Sequence, residues 1–363
     1  MTHAGLRDIR GSTGAYERWM ASRITVVASD LRRKHERMRE GPFVFLRGTF
    51  YRWTEQFPVV CARIADAPRI AAVGDLHVEN FGTWRDREGR LIWGINDLDE
   101  AAVLPYTNDL VRLATSAALA SRDRHLDLRP ADMCAAILEG YSTALGRGGE
   151  PVVLAERRRW LRRVAQSELR DPKLFWDAML QLPRARAVPR SALRALRAAC
   201  PGDWESFTVR KRVAGVGSLG RMRFVALGQA AGGHVAREAK AFLPSAAARR
   251  PPTKRPVAVD IAARAVRAVD PFWAIGDGWI VRRLAPDCTR IEMSDLPVDR
   301  DERRLLRGMG WETANLHLAT PSARRAVVRH LNSLGPRWLE RAAERMAAAT
   351  IEDWKDWKTS TTR

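Results

Sequence analysis

GDLHVENFG (74–82) and, a few residues on, INDLDEA (95–101) are the stretches from which the rest of the chain can be read. RIAAVGDLHVENFG (69–82) begins as a short buried strand and ends in a polar loop. RLIWGINDLDE (90–100) repeats that form, an apolar strand running into a cluster of acids. DREG (86–89) is the turn between them. Asp75 and Asn80 therefore stand five residues apart on a loop that follows a strand, and Asp97 and Asp99 end the next strand. Phosphoryl transfer needs a carboxylate beside the acceptor hydroxyl, and oxygen ligands that hold Mg²⁺ on nucleotide phosphates. A D-x4-N loop backed by a D-x-D strand end supplies both, because hairpin neighbours bring these oxygens into one small volume. The alternative, a polar hairpin whose Asp and Asn side chains cap turns, accounts better for a single acid than for the whole set. His77 either ligates a metal or holds the loop through hydrogen bonds; the second is favoured because no other histidine lies nearby in sequence.

Outward from this pair, residues 1–40 read as an amphipathic, charged helical lead-in ending in RRKHERMRE, with Pro42 as the break. FVFLRGTFYRWTEQF (43–57) is apolar and aromatic and starts a helix. Arg47 in it either reaches the site and touches phosphate or is a buried arginine paired to an acid. Residues 107–200 show helical periodicity throughout, as in NDLVRLATSAALASR. After Pro201 the character changes. SFTVRKRVAGVGSLGRMRFVALG (206–228) reads as two strands joined by a glycine-rich turn, HVAREAKAFL (234–243) as a third strand, AAARRPPTKRP (246–256) as a linker or mobile loop, DIAARAVRAV (260–269) as a helix and GWIVRRLAP (278–286) as another strand. Residues 300–350 return to helices.

GVGSLG (215–220) lies between two strands, which argues against a dinucleotide-binding turn, since that turn must open a helix. It suits a flap whose glycines, Gly215, Gly217 and Gly220 with Ser218 among them, let the backbone approach phosphates closely. A glycine-rich hairpin turn is the plain alternative. Lys240 follows about twenty residues later on the third strand, at the place of the strand lysine that contacts α- and β-phosphates in kinases. The chain has only seven lysines, so this one is less readily a random surface residue. A kinase-type helix should next offer a glutamate to this lysine, but DIAARAVRAV has none; Asp260, Asp270 and Glu238 are the substitutes in sequence.

Asp75, Asn80 and Asp97 resemble the HGDxHxxN and DxD elements of the aminoglycoside-phosphotransferase branch of the protein-kinase-like superfamily. The resemblance implies Asp75 as the catalytic aspartate, Asn80 and Asp97 as metal ligands, Asp99 as a further metal or supporting carboxylate, and Asp109 as a brace for the loop. Val73 departs from the pattern by standing where its histidine belongs. Gly215, Gly217, Ser218, Gly220, Lys240 and Arg282, the last on the strand before the hinge, would hold the nucleotide. The glycine loop follows the catalytic loop here, whereas ordinary kinases have the reverse order, and ETANLHLAT (312–320) resembles a helix that usually precedes the catalytic loop. The whole also resembles the bacterial family called domain of unknown function 2252, through FLRG (45–48), GDLHVENFG, NDLDE, GVGSLG and NLH. The implied fold is α+β: a protein-kinase-like two-lobed fold in circularly permuted order. It would comprise a helical extension (1–40), the catalytic-loop and helical lobe (41–200), a small antiparallel β lobe with the glycine loop (201–290), and helices returning to the larger lobe (291–363). The implied activity is ATP- and Mg-dependent phosphotransfer to a small-molecule or protein hydroxyl; a nucleotide-binding pseudokinase scaffold and nucleotidyl transfer are the alternatives.

Composition sets limits on these readings. With 62 Lys and Arg against 42 Asp and Glu, the net charge of +20 invites a nucleic-acid partner. The excess is almost all arginine, scattered through every segment of an alanine-rich chain, so a solvated basic surface is favoured over nucleic-acid binding. No apolar run is long enough to span a bilayer, and MTHAGLRDIR has no apolar core of a secretory signal. The four cysteines form no CxxC pair, which fits a reducing cytoplasm.

Overall fold

The computed structural model describes residues 6–122, 128–154, 156, 162, 171–200, 202, 204, 206–248, 255–288 and 302–359. It is a mixed structure of helix and sheet. Two helices, α1 (Ile9–Ala21) and α2 (Ala28–Arg37), open the chain. Then come α3 (Pro42–Gly48), α4 (Phe50–Val60) and the short α5 (Ala62–Ala65). Pro42 at the start of α3 fits the first turn, where its missing N–H is not needed.

Four short strands follow: β1 (Arg69–Ala72), β2 (Phe81–Arg85), β3 (Leu91–Ile95) and β4 (Ala102–Pro105). β2 and β3 form one antiparallel hairpin, with Phe81 opposite Ile95 and Arg85 opposite Leu91. β1 and β4 form a second antiparallel pair, with β2 and β3 between them in sequence. Every residue of β3 is buried, which explains its unbroken apolar run. The two pairings bring the loop after β1 and the loop after β3 side by side.

Helices α6 (Tyr106–Arg122) and α7 (Pro130–Arg147) come next, and α11 (Glu302–His317), α12 (Arg324–Ser333) and α13 (Trp338–Thr359) close the chain. With β1–β4 and α3–α5 they enclose the largest apolar core, which includes Trp53, Ile70, Leu76, Trp93, Leu110, Ile137, Leu306 and Met346.

The expected helical periodicity over 107–200 is interrupted. Gly148 ends α7 with a left-handed φ of 86°, and Val153 bridges to Ile92 as an isolated strand contact. Among the described residues, helices α8 (Pro172–Leu180) and α9 (Arg190–Ala199) follow. They pack not on the helical core but on a third sheet. That sheet has five antiparallel strands, β5 (Phe207–Lys211), β6 (Arg223–Ala230), β7 (Gly233–Ala241), β8 (Ala274–Gly276) and β9 (Trp279–Leu284), in the order β5-β6-β7-β9-β8. Side chains alternate between its faces. Phe224, Ala226, Ala239 and Ala241 pack on Ala192 and Leu196 of α9, while Val225, Leu227 and Ala236 pack on Phe175 and Met179 of α8. β8, only three residues long, is too short to be legible as a strand.

The helix expected at 260–269 is α10 (Val257–Arg264), shifted toward the N-terminus and ending at Arg264. Its Val257, Ala258 and Ile261 join the large core, so it lies with β1 and β4, away from the sheet on either side of it in sequence. Among the described residues no helix is long and apolar enough to cross a membrane.

Candidate functional site

The loop after β1 is built from backbone inward. Asp109 of α6 is fully buried and accepts hydrogen bonds from the backbone N–H of Val73 at 2.6 Å and of Gly74 at 3.0 Å. Gly74 has φ +82°, and a Cβ there would sit 2.2 Å from the Glu100 carbonyl oxygen, so only glycine fits. His317, at the end of α11, meets the same Asp109 carboxylate at 3.0 Å and Tyr141 at 2.8 Å on its other ring nitrogen. A histidine thus reaches this loop from a helix more than 200 residues away in sequence, while Val73 occupies the expected local position. Further along, Asn80 Oδ1 accepts from the His77 N–H at 2.7 Å, and His77 Nδ1 accepts from the Glu79 N–H at 3.2 Å. His77 holds the loop. No group of three or more His, Cys, Asp or Glu side chains suited to a metal occurs among the described residues.

Asp75 points into a small cleft of about 50 Å³, whose lining also includes Asn80, Asp97, Asp99, Arg47, Gly215, Gly217 and Ser218. Its Oδ1 is held by Arg112 of α6, through Nε at 2.9 Å and through Nη2. Burial pushes the Asp75 carboxyl above its usual range, against the pull of Arg112. Arg112 lies one turn after Asp109, so a single helix carries both the brace for the loop and the partner for its acid. Arg47 has the acid partner that its second alternative expects, Glu79 at 2.6 Å, and it also lines the cleft.

Across the cleft stands the five-stranded sheet. Lys240 Nζ lies 3.8 Å from Asp97 Oδ1 and closer still to Asp99 Oδ2. Its partner is thus Asp99; of the acids expected from sequence, Asp260 pairs with Arg255, Asp270 caps the Phe272 N–H, and Glu238 is otherwise engaged. The reason is packing. α10 sits against the large core, so no acid on it can face the sheet, and the D-x-D strand end takes that place. Asp99 also accepts from Arg221 at 3.3 Å, and Arg221 continues to Glu100 at 3.1 Å. Asp99 therefore sits in an ion-pair chain, whereas Asp97 keeps a side chain 40% exposed at the cavity wall. Burial works against ionisation of Asp97, but Lys240, Arg282 and hydrogen bonds from Asp99 together outweigh it and hold the carboxyl below its ordinary range; burial and the Asp97 charge push Asp99 up. Burial likewise pushes Glu100 up to about 7.

Asp97, Gly215 and Ser218 also border a second, larger cavity of about 690 Å³ between the sheet and the β2–β3 hairpin, which Lys240 lines too. Trp84, Trp273 and Phe175 supply aromatic walls, and Arg212, Arg223, Arg267, Arg282 and Arg283 make it cationic. On β7, Glu238 collects Arg212, Arg223 (2.7 Å) and Arg282 (2.8 Å); despite burial, these arginines hold its carboxyl well below the ordinary range. Arg282 thus lines the cavity as an arm of this cluster. Gly215, Gly217 and Ser218 roof the clefts, and a Cβ on Gly217 would stand 3.6 Å from Asp75 Oδ2. Gly220 does something else. Its carbonyl accepts the Val27 N–H at 2.8 Å and its α-carbon packs on Leu31, which docks the N-terminal helices onto the loop. It lines neither cavity.

Three contributors escaped sequence reasoning: Arg112, Arg221 and Lys34. Arg112 was signalled by its i+3 spacing from Asp109. Lys34 carried the same signal as Lys240, a lysine in a chain that has few.

Residues 26–173 match the sequence model of the family DUF2252, described as an uncharacterized protein conserved in bacteria. No curated protein and no solved structure matches the chain.

Proposed function

We propose that the chain is a kinase-like phosphotransferase that moves the γ-phosphoryl group of ATP to a hydroxyl acceptor, on a two-lobed fold in permuted order. One observation carries this reading: the side chains of Asp75, Asn80 and Asp97 line one cleft under a glycine loop, and Lys240 of the five-stranded sheet reaches Asp97 and Asp99. The large cavity has the size and wall chemistry for a nucleotide, with both aromatic faces and cations in its lining. Gly215 and Ser218 border both spaces, Lys240 borders the larger one, and together they would lie along the phosphates.

Mg²⁺ commonly binds through one or two carboxylates together with substrate phosphates and waters, and Asp97, the more exposed acid at the junction of the two cavities, suits that role with Asn80 beside it. Bound there, the ion would neutralise phosphate charge. The chain's own residues do the rest. Asp75, with one oxygen fixed by Arg112, presents the other to the acceptor hydroxyl and takes its proton as the acceptor O–P bond forms and the bond from the γ-phosphorus to ADP oxygen breaks. A raised carboxyl pKa suits a base that must accept that proton.

Incubation with γ-labelled ATP and Mg²⁺, with and without cell extract, tests the reaction and traces the label to its acceptor. Asp97→Ala should weaken ATP binding in Mg²⁺ by at least about tenfold, whereas Asp75→Ala should leave binding nearly intact and abolish transfer. Equal loss of ATP affinity in both variants contradicts these separate roles. A nucleotide-binding scaffold without turnover is the second reading, favoured by the occupation of Asp75 by buried Arg112. It expects a thermal shift with ATP and no labelled product under any condition.

A further inference from the structure

We propose that Lys34 is a phosphate-binding residue, its ammonium carried into the Asp75 cleft on α2 to hold a phosphate-sized anion beside that carboxylate. Lys34 is 3% exposed and lines the cleft. Its contacts among the described residues are one hydrogen bond, to the Gly217 carbonyl at 3.3 Å, and two ring faces, Tyr16 at 5.6 Å and Tyr51 at 5.7 Å. No described carboxylate lies within ion-pair distance. The other basic side chains of the cleft are paired: Arg47 with Glu79, and Arg221 with Asp99 and Glu100. A buried ammonium with one acceptor for three donors is costly unless an anion completes it. Burial and the nearby Arg221 charge together pull its pKa down to about 8.

The cleft's volume says which anion. About 50 Å³ admits a group the size of phosphate or a few waters. The Gly217 carbonyl that Lys34 holds belongs to the loop that roofs Asp75, so the lysine and the loop would close on the same group. Two sources share this chemistry, the terminal phosphate of a nucleotide and free inorganic phosphate. Assignment to the nucleotide rests on the phosphotransferase reading; the binding of a phosphate group does not.

Calorimetric titration of the full chain with ATP, ADP, tripolyphosphate and inorganic phosphate, each with Mg²⁺, separates these, using wild type, Lys34→Met and Lys34→Arg. Wild type should bind ATP about tenfold more tightly than ADP. Lys34→Met should bring ATP down to the ADP level and leave ADP unchanged, with Lys34→Arg recovering part of the difference. Without ligand, Lys34→Met should melt at or above the wild-type temperature, because it removes an unpaired buried charge. Equal affinities of wild type for ATP and ADP, equal losses for both in Lys34→Met, no loss for either, or a Lys34→Met protein that does not fold would each overturn the proposal, the last by marking Lys34 as structural. Should wild type bind no nucleotide, the phosphotransferase reading fails, and Lys34 is judged on tripolyphosphate and inorganic phosphate alone. Binding of either that Lys34→Met abolishes sustains it; unchanged binding, or none in wild type, overturns it.

Discussion

Arg112 spends its donors unevenly: Nε and Nη2 hold Asp75 Oδ1, Nη2 also reaches the Leu46 carbonyl at 2.9 Å, and Nη1 has no hydrogen-bond partner. Its guanidinium instead lies over the rings of Phe50 and Trp53, at 5.1 and 4.9 Å, which offsets part of the cost of burying the charge. The arrangement fixes one oxygen of Asp75 and tempers a carboxyl that burial pushes up. Arg112 is therefore a positioning residue for the base. In Arg112→Met the carboxylate loses a neighbouring cation, so its pKa rises further and the base is ionised only at higher pH. The acid limb of kcat/KM should move upward by about 1 pH unit or more, with ATP affinity nearly unchanged. A purely structural arginine would lower activity equally at every pH, and a rate profile of unchanged shape would sink the idea.

Two elements are locked by glycine. A Cβ on Gly140 of α7 would stand 1.9 Å from the Arg307 carbonyl oxygen of α11, and a Cβ on Gly310 of α11 would stand 2.0 Å from the Ile137 carbonyl oxygen of α7. The two helices therefore touch backbone to backbone, and this closeness sets His317, at the end of α11, against Asp109. Gly310→Ala must push them apart, costing about 1–3 kcal/mol or more by overpacking, and should loosen the loop that Asp109 braces. Urea denaturation measures the cost; a variant within about 0.5 kcal/mol of wild type would show that the crossing yields easily. Elements of this kind mark what the sequence could and could not disclose. Apolar runs with clear turn residues gave β1, β3, β6, β7 and β9 near their observed places, and the polar loop between β1 and β2 was legible because all its acids lie close in sequence. The partner of Lys240 was not legible. It depends on α10 packing with β1 and β4, and on Asp99 facing the sheet from more than 130 residues earlier. The coverage of the sheet by α8 and α9 was hidden for a similar reason, since amphipathic periodicity shows that a helix has an apolar face but not which surface receives it.

Across the whole molecule, Arg221 is where three parts meet. It is 4% exposed and directly follows the glycine loop. Val26 forms a strand bridge with it, tying on the N-terminal helices. Its guanidinium reaches Asp99 and Glu100, on the loop between β3 and β4. Glu100 in turn accepts the Ala246 N–H at 2.6 Å through its carboxylate and the Ser245 hydroxyl at 2.9 Å through its carbonyl. Removing one partner of such a buried set leaves charges without compensation, at a cost of about 3–5 kcal/mol. Arg221→Met should lose about that much in urea denaturation at pH 7, and the combined variant Glu100→Gln, Arg221→Met should recover part of it, since a neutral Glu100 needs no cation while Asp99 keeps Lys240 as its partner. The deficit should also depend on pH. Glu100 has a folded-state pKa of about 7, above its ordinary 4.5. Its contribution is therefore complete below about 4.5 and is lost as pH rises through about 7, because the unfolded chain releases the proton first. Without Arg221 the folded protein holds that proton still more tightly, so the loss on raising pH is steeper. Arg221→Met should thus trail wild type by more at pH 8 than at pH 5, and a deficit independent of pH would mean that Arg221 acts through packing and not through charge.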